Sequence, residues 1–149
     1  MLGEYAKKIQ EFFEVNEITR KVVEPLKEGA VAWVEIEGDP QPYTLIKKGG
    51  RSHIIEGKPE KPEVYFKFSK EAVDYLLSLK SEKIEDYVDR LSECMLNPTP
   101  TRWIKFNLLT TMLDAARKGY VKMVMLGGKK ALKTLAAIGI RIPKKLFKI

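Results

Sequence analysis

The sequence predicts an α+β domain: a five-stranded, mainly antiparallel sheet covered by helices. Three observations lead there. Residues Glu63 to Leu77, EVYFKFSKEAVDYLL, pass from a strand directly into a helix. Val64, Phe66 and Phe68 alternate with Tyr65 and Lys67, so one side is apolar and the other can meet water. Ser69 then stands at an N-cap position, with Glu71 in the first turn and Ala72, Val73, Leu76 and Leu77 at helical spacing. The same order returns at Gly119 to Gly139, GYVKMVMLGGKKALKTLAAIG, as a strand, a glycine pair and an amphipathic helix. Ahead of both, short alternating segments follow one another through short turns. Two strand-to-helix corners and a run of hairpin-linked strands imply a sheet with helices packed on one face.

Taken in order, Leu2, Tyr5, Ile9, Phe12 and Phe13 form one helical stripe, and Ile18, Val22, Val23 and Leu26 a second. Asn16 either caps the second helix or interrupts a single long one. Pro25 stands near its end and Gly29 stops it. From Ala30 the period becomes two: AVAWVEIE places Ala32, Val34 and Ile36 on one face and Trp33 and Glu35 on the other. Tyr43 to Lys48 is the next strand, and Gly49-Gly50 reads as a tight hairpin into Arg51 to Glu56. The linker Gly57 to Pro62 leads to Val64–Phe68, so the four strands are expected as an antiparallel meander. Ser81 opens a helix striped by Ile84, Tyr87, Val88, Leu91 and Met95, ended by Asn97, Pro98 and Pro100. Trp103 to Ala116, apolar almost all round, is expected as a helix buried on more than one side or facing a ligand or partner. Tyr120 to Leu126 is expected as the fifth strand, and Lys129 to Ile138 as the last helix.

A chain of 149 residues and 17.1 kDa is expected to be one domain able to bury about 70% of its unfolded surface. The single cysteine, Cys94, allows no internal disulfide and no metal cluster. It reads as a small apolar residue on a helix. No stretch has the roughly 18 apolar residues of a membrane span and no signal-peptide core is visible, so a soluble cytoplasmic protein is expected. Glutamine occurs only at Gln10 and Gln41 and asparagine only at Asn16, Asn97 and Asn107, a scarcity of heat-labile amides that suggests a thermophilic source. The net charge of +7 is unevenly placed: residues 1–114 carry 17 basic and 20 acidic groups, whereas residues 115–149 carry 10 basic groups and no acidic one. That asymmetry suits an anionic surface, although a solvated basic face has the same composition.

The order of elements resembles the sterol carrier protein family, the small nonspecific lipid-transfer domains. The resemblance rests on AVAWVEIEGD, on YTLIKKGGRSHIIEG, on EVYFKFSKEAVDYLL and on GYVKMVMLGGKKALKTLAAIG, and covers roughly Asn16 to Gly139. It implies a five-stranded sheet with an apolar tunnel between sheet and helices for fatty acyl, isoprenoid or sterol-like ligands. The chain departs from the family pattern at Lys80 to Lys118, where about two additional helices are expected to be inserted. Its parts are therefore an N-terminal helical segment 1–28, the sheet, a helical insertion 80–118, and a closing helix and basic tail 129–149.

No catalytic constellation emerges, and no cofactor or metal is expected. His53, the only histidine, has no second histidine or nearby cysteine to share a metal. Ser69 lacks a nucleophile elbow and a histidine partner. LGGKKALKT, Leu126 to Thr134, lacks the spacing of a phosphate loop, although its glycine turn onto a lysine-rich helix start suits a single anionic head group. The expected function is non-enzymatic binding or transfer of an elongated apolar ligand. Its expected wall is Val34, Ile36, Phe66, Phe68, Leu76, Met112, Met123, Met125, Leu132 and Leu135. Lys129, Lys130 and Lys133 on the closing helix and Lys144, Lys145 and Lys148 in the tail form the expected anionic-surface contact. Trp33 and Trp103 read as pocket wall, interface anchor or core. The alternatives are a homodimeric interaction protein using the apolar helix 103–116, its core filled, or a nucleic-acid binder using the basic end. The latter is disfavoured because Tyr120 and Phe147 are the only aromatics there.

Overall fold

A computed structural model describes residues 2–149. Two N-terminal helices, α1 (Glu4–Val15) and α2 (Glu17–Val23), precede three hairpin-linked strands, β1 (Val31–Ile36), β2 (Tyr43–Lys48) and β3 (Arg51–Glu56). Asn16 separates the two helices by capping the second: its side chain accepts from the Thr19 amide. Then come β4 (Val64–Phe68), α3 (Lys70–Leu77), α4 (Ile84–Leu96), β5 (Ile104–Leu108), α5 (Met112–Arg117), α6 (Tyr120–Leu126), α7 (Gly128–Ala137) and a 3-10 turn, Lys144–Lys148. The Ser69 hydroxyl caps α3 by accepting from the Ala72 amide, and also accepts from the Trp103 amide. One buried serine thus fixes both the strand-to-helix corner and the entry to β5.

The sheet has the order β3-β2-β1-β4-β5. It is mixed and mainly antiparallel: β1–β2, β2–β3 and β4–β5 are antiparallel. β4, expected to extend the meander, instead crosses back to lie parallel to β1, with Val34 opposite Phe66 and Ile36 opposite Phe68. The reason lies in the apolar faces. The link Gly57 to Pro62 is long enough to carry the chain across the sheet, and this register puts Val64, Phe66 and Phe68 beside Ala32, Val34 and Ile36, so the two apolar rows bury together.

Two sequence expectations are corrected. Trp103 to Ala116 is not one helix: it holds β5, a three-residue break and the start of α5. Thr111 caps α5, its side chain accepting from the Asp114 amide. Tyr120 to Leu126 is not the fifth strand but α6. The expected helical insertion therefore dissolves. Residues 80–118 contain one full helix, the fifth strand itself and one short helix, and the additional helical material lies after the strand rather than before it.

The core sits on one side of the sheet. Val34, Ile36, Tyr43, Ile54 and Val64 are buried there with Ala6 and Ile9 of α1, Val73 of α3, Ala115 of α5 and Tyr120 of α6. Lys47, of the same parity, is buried as well and donates its ammonium to the Val23 carbonyl at 2.7 Å, a cation at the last turn of α2. Glu63 binds sheet to helix: its carboxylate accepts from the Val31 amide at 2.7 Å and from the Tyr120 hydroxyl at 3.4 Å.

Candidate functional site

Register assigns the inward face strand by strand. Phe66 is opposite Val34 on one side and Phe106 on the other; Phe68 is opposite Ile36 and Ile104. In a two-residue repeat these side chains must share one face. The rings of Phe66 and Phe68 stack at 5.5 Å, and Phe106 meets Phe66 at 4.8 Å with its plane tilted. Phe66 and Phe68 each belong to two apolar clusters: the main core with Met123 and Leu77, and a smaller one made by Ala72, Cys94, Ile104, Leu76, Leu91 and Met95. They form the seam between them.

That seam is not closed. Val34 and Ile36 retain only 1% and 2% of their surface, whereas Phe66, Phe68, Phe106 and Met123 are half-buried. Aromatic side chains on the helix-covered face of an internal strand are normally sealed by close packing. These four side chains keep partial contact with solvent. Tyr75 packs on the smaller cluster and carries a polar network at its edge: its hydroxyl donates to Glu93, which also pairs with Arg102 at 2.8 Å. Cys94 is fully buried, and burial raises its thiol pKa, which keeps it protonated.

Of the ten wall residues expected from sequence, Val34, Ile36, Phe66, Phe68, Leu76 and Met123 meet in these adjoining clusters. Four go elsewhere. Met112 packs on a third cluster, Ala116, Val121 and Leu146. Met125 is 41% exposed, because residues two apart on a helix point to opposite sides whereas on a strand they would have shared a face with Met123. Leu132 and Leu135 are half-buried on α7, which does not lie on the sheet; it packs on α4, where the Thr134 and Ser92 hydroxyls hydrogen-bond at 2.8 Å. Phe106, Leu91 and Met95 join the seam without having been expected. The alternation of Ile104, Phe106 and Leu108 was the signal for the first, and the α4 stripe for the others.

Two surface clefts adjoin the core. One, about 680 Å³, lies between α1 and the α3–α4 link and is lined by Phe12, Val15, Leu77, Leu79 and Tyr87 among others. The other, about 790 Å³, lies at the end of the sheet beside Trp33, Lys58 and Lys118. The basic end is only partly as expected. Lys129, Lys133, Lys144, Lys145 and Lys148 are exposed, but Lys130 faces Asp89 at 3.4 Å. Leu146 is buried and Phe147 packs beside it, so the apolar residues between the tail lysines are already used by the fold. No helix among the described residues is long and apolar enough to cross a membrane.

A mixed five-stranded sheet with helices packed on one face is the fold of a sterol-carrier-like domain. The chain shares that fold with a solved structure described as UbiJ-SCP2 ubiquinone synthesis protein: the TM-score is 0.50 at 12% identity, over 93% of this chain and 97% of that one. No family model matches the chain, and no curated protein matches its sequence.

Proposed function

We propose that the protein is a non-enzymatic carrier for an elongated apolar ligand of fatty acyl, isoprenoid or sterol type, held along the seam between the sheet and helices α3, α4 and α6. The observation that carries this reading is the incomplete burial of Phe66, Phe68, Phe106 and Met123 on the helix-covered face. Flexible thioethers beside aromatic rings adapt to chains of irregular shape, and an apolar hollow binds apolar groups because it holds no water with satisfied hydrogen bonds. The cleft beside Leu77 is the proposed way in, since Leu77 lines it and also packs on the main core. The sterol-carrier-like fold supports the ligand class. Ubiquinone synthesis, which the similar structure's description names, suggests a polyprenyl compound among the ligands to try first.

Solvent extraction of the purified protein followed by mass spectrometry tests the reading directly, together with uptake of a fluorescent fatty acid. Met123→Trp is expected to fill the hollow and abolish uptake while the thermal midpoint stays within a few degrees of the parent. In a solid core the same change overpacks, at a cost of about 1–3 kcal/mol. A strongly destabilised variant, from a parent that binds no probe and yields no lipid, sinks the carrier reading.

A further inference from the structure

The side of the sheet opposite the helices has a pattern of its own. Trp33 and Tyr65 are direct partners on the two central strands, with rings 4.5 Å apart. The Tyr65 hydroxyl donates to Glu35 at 2.6 Å, which fixes the ring beside the indole. Among the paired strand residues, the same face presents the cations Lys48, Arg51, Lys67 and Lys105 and one carboxylate, Glu35, already engaged by Tyr65; Glu37 and Glu63 flank it at the strand ends. Lys58 lies over the Trp33 ring at 4.2 Å, and Lys105 is 5.3 Å from the ring of Trp103. The face runs into the 790 Å³ cleft, where five cations stand with three carboxylates. Arg117, one of those five, faces Asp114 at 3.8 Å, and Glu63 accepts from the Val31 amide.

We propose that this helix-free face and its cleft bind single-stranded nucleic acid, with bases stacking on Trp33 and Tyr65 and phosphates neutralised by Lys58, Lys67, Lys105 and the cleft cations. Paired aromatics on adjacent central strands, flanked by lysines, make a sequence-tolerant stacking platform with an electrostatic track. The aromatics missing from the basic end are supplied here. Charge disfavours a second copy of the chain, because face-to-face pairing would oppose like charges. A bilayer is disfavoured because the well-exposed large apolar side chains of this face and its cleft are Ile55 and Leu109, at opposite ends of the sheet order, too little for insertion.

The test uses fluorescein-labelled oligouridylate and oligothymidylate, a duplex of equal length and vesicles containing phosphatidylserine, with binding followed by anisotropy and by intrinsic fluorescence. Both tryptophans belong to this region, so stacking is expected to quench their emission. Single strands should bind at low salt with log K falling against log salt by about 0.7 for each phosphate neutralised. Lys67→Glu with Lys105→Glu, both at the surface, and separately Trp33→Ala, are each expected to weaken binding at least about tenfold. Trp33→Phe, which keeps a ring, should retain most of it and guards against loss by misfolding. Absence of binding at low salt overturns the proposal. So does duplex bound as tightly as single strands with no quenching, preference for the vesicles, or binding that survives the face variants and disappears when Lys144, Lys145 and Lys148 are reversed.

Discussion

At the residue scale, two glycine positions of the same backbone hand bear different loads. Gly119 links α5 to α6 at φ +95°, and a Cβ there would stand 2.0 Å from the Pro25 carbonyl oxygen and 2.7 Å from its carbon. Gly49, at φ +63° in the β2–β3 hairpin, has nothing within 4 Å. Gly49→Ala is therefore expected to cost only about 1 kcal/mol of backbone strain. Gly119→Ala adds a collision with a rigid carbonyl and should cost about 2–5 kcal/mol, read by chemical denaturation of both variants. Equal costs would mean that α6 does not dock against Pro25. The same hairpin holds a proton-linked contact. The Gly49 and Gly50 amides donate to the Glu28 carboxylate at 2.9 and 2.8 Å. Those two bonds lower its pKa below the ordinary 4.5, so the fold favours the ionised form. The contribution is complete above the ordinary value and is lost as pH falls through the depressed one. The thermal midpoint of Glu28→Gln should lie below that of the parent by a constant gap above pH ~4.5 that closes on further acidification. A gap that ignores pH would separate Glu28 from the hairpin.

Among the elements, those announced by a single period and a cap were legible. β1 shows strict alternation, and Asn16 and Ser69 cap the helices that follow them. Two were not, for opposite reasons. Trp103 to Ala116 splices a strand to a helix, and the sum of two apolar faces imitates a helix apolar all round. The break was marked by Thr111 three residues before Asp114, the spacing of a capping box. Tyr120 to Leu126 is rich in residues that favour strands, and its helical state is imposed by packing: Tyr120 is held by Glu63, and Val121 is buried under Leu146. Local propensity yields to such contacts. The same misreading dispersed the candidate wall, since Met123 and Met125 share a face only on a strand. Lysine substitution separates the two states. Met125→Lys should change stability by no more than about 0.5 kcal/mol, whereas Met123→Lys, aimed at the core, should destabilise by several kcal/mol. Comparable losses in the two denaturation curves would contradict α6.

For the whole molecule, composition shows the charge asymmetry along the chain but not its placement in space. Position along the chain says nothing about which strands become neighbours, and the cations of the open face come from β2, β3, β4 and β5. The two proposed ligands would occupy opposite sides of one sheet, so each can be tested without disturbing the other. The topology also carries a temporal consequence. β1, β2 and β3 close through short local loops, and hairpins of that kind form in about 1–10 μs. The β1–β4 pair must bring Ala32 to Val64 in parallel, across both earlier hairpins, and β5 can join only after β4 is in place. Late formation of non-local pairs is the rule when loop closure precedes reward. The aromatic seam, made by β4 and β5 under α3, α4 and α6, thus belongs to the last part of the fold to assemble, and during synthesis its phenylalanines wait for helices that the ribosome has not yet released. An apolar ligand of the proposed kind reaching the chain in that interval would meet the seam before its roof is built.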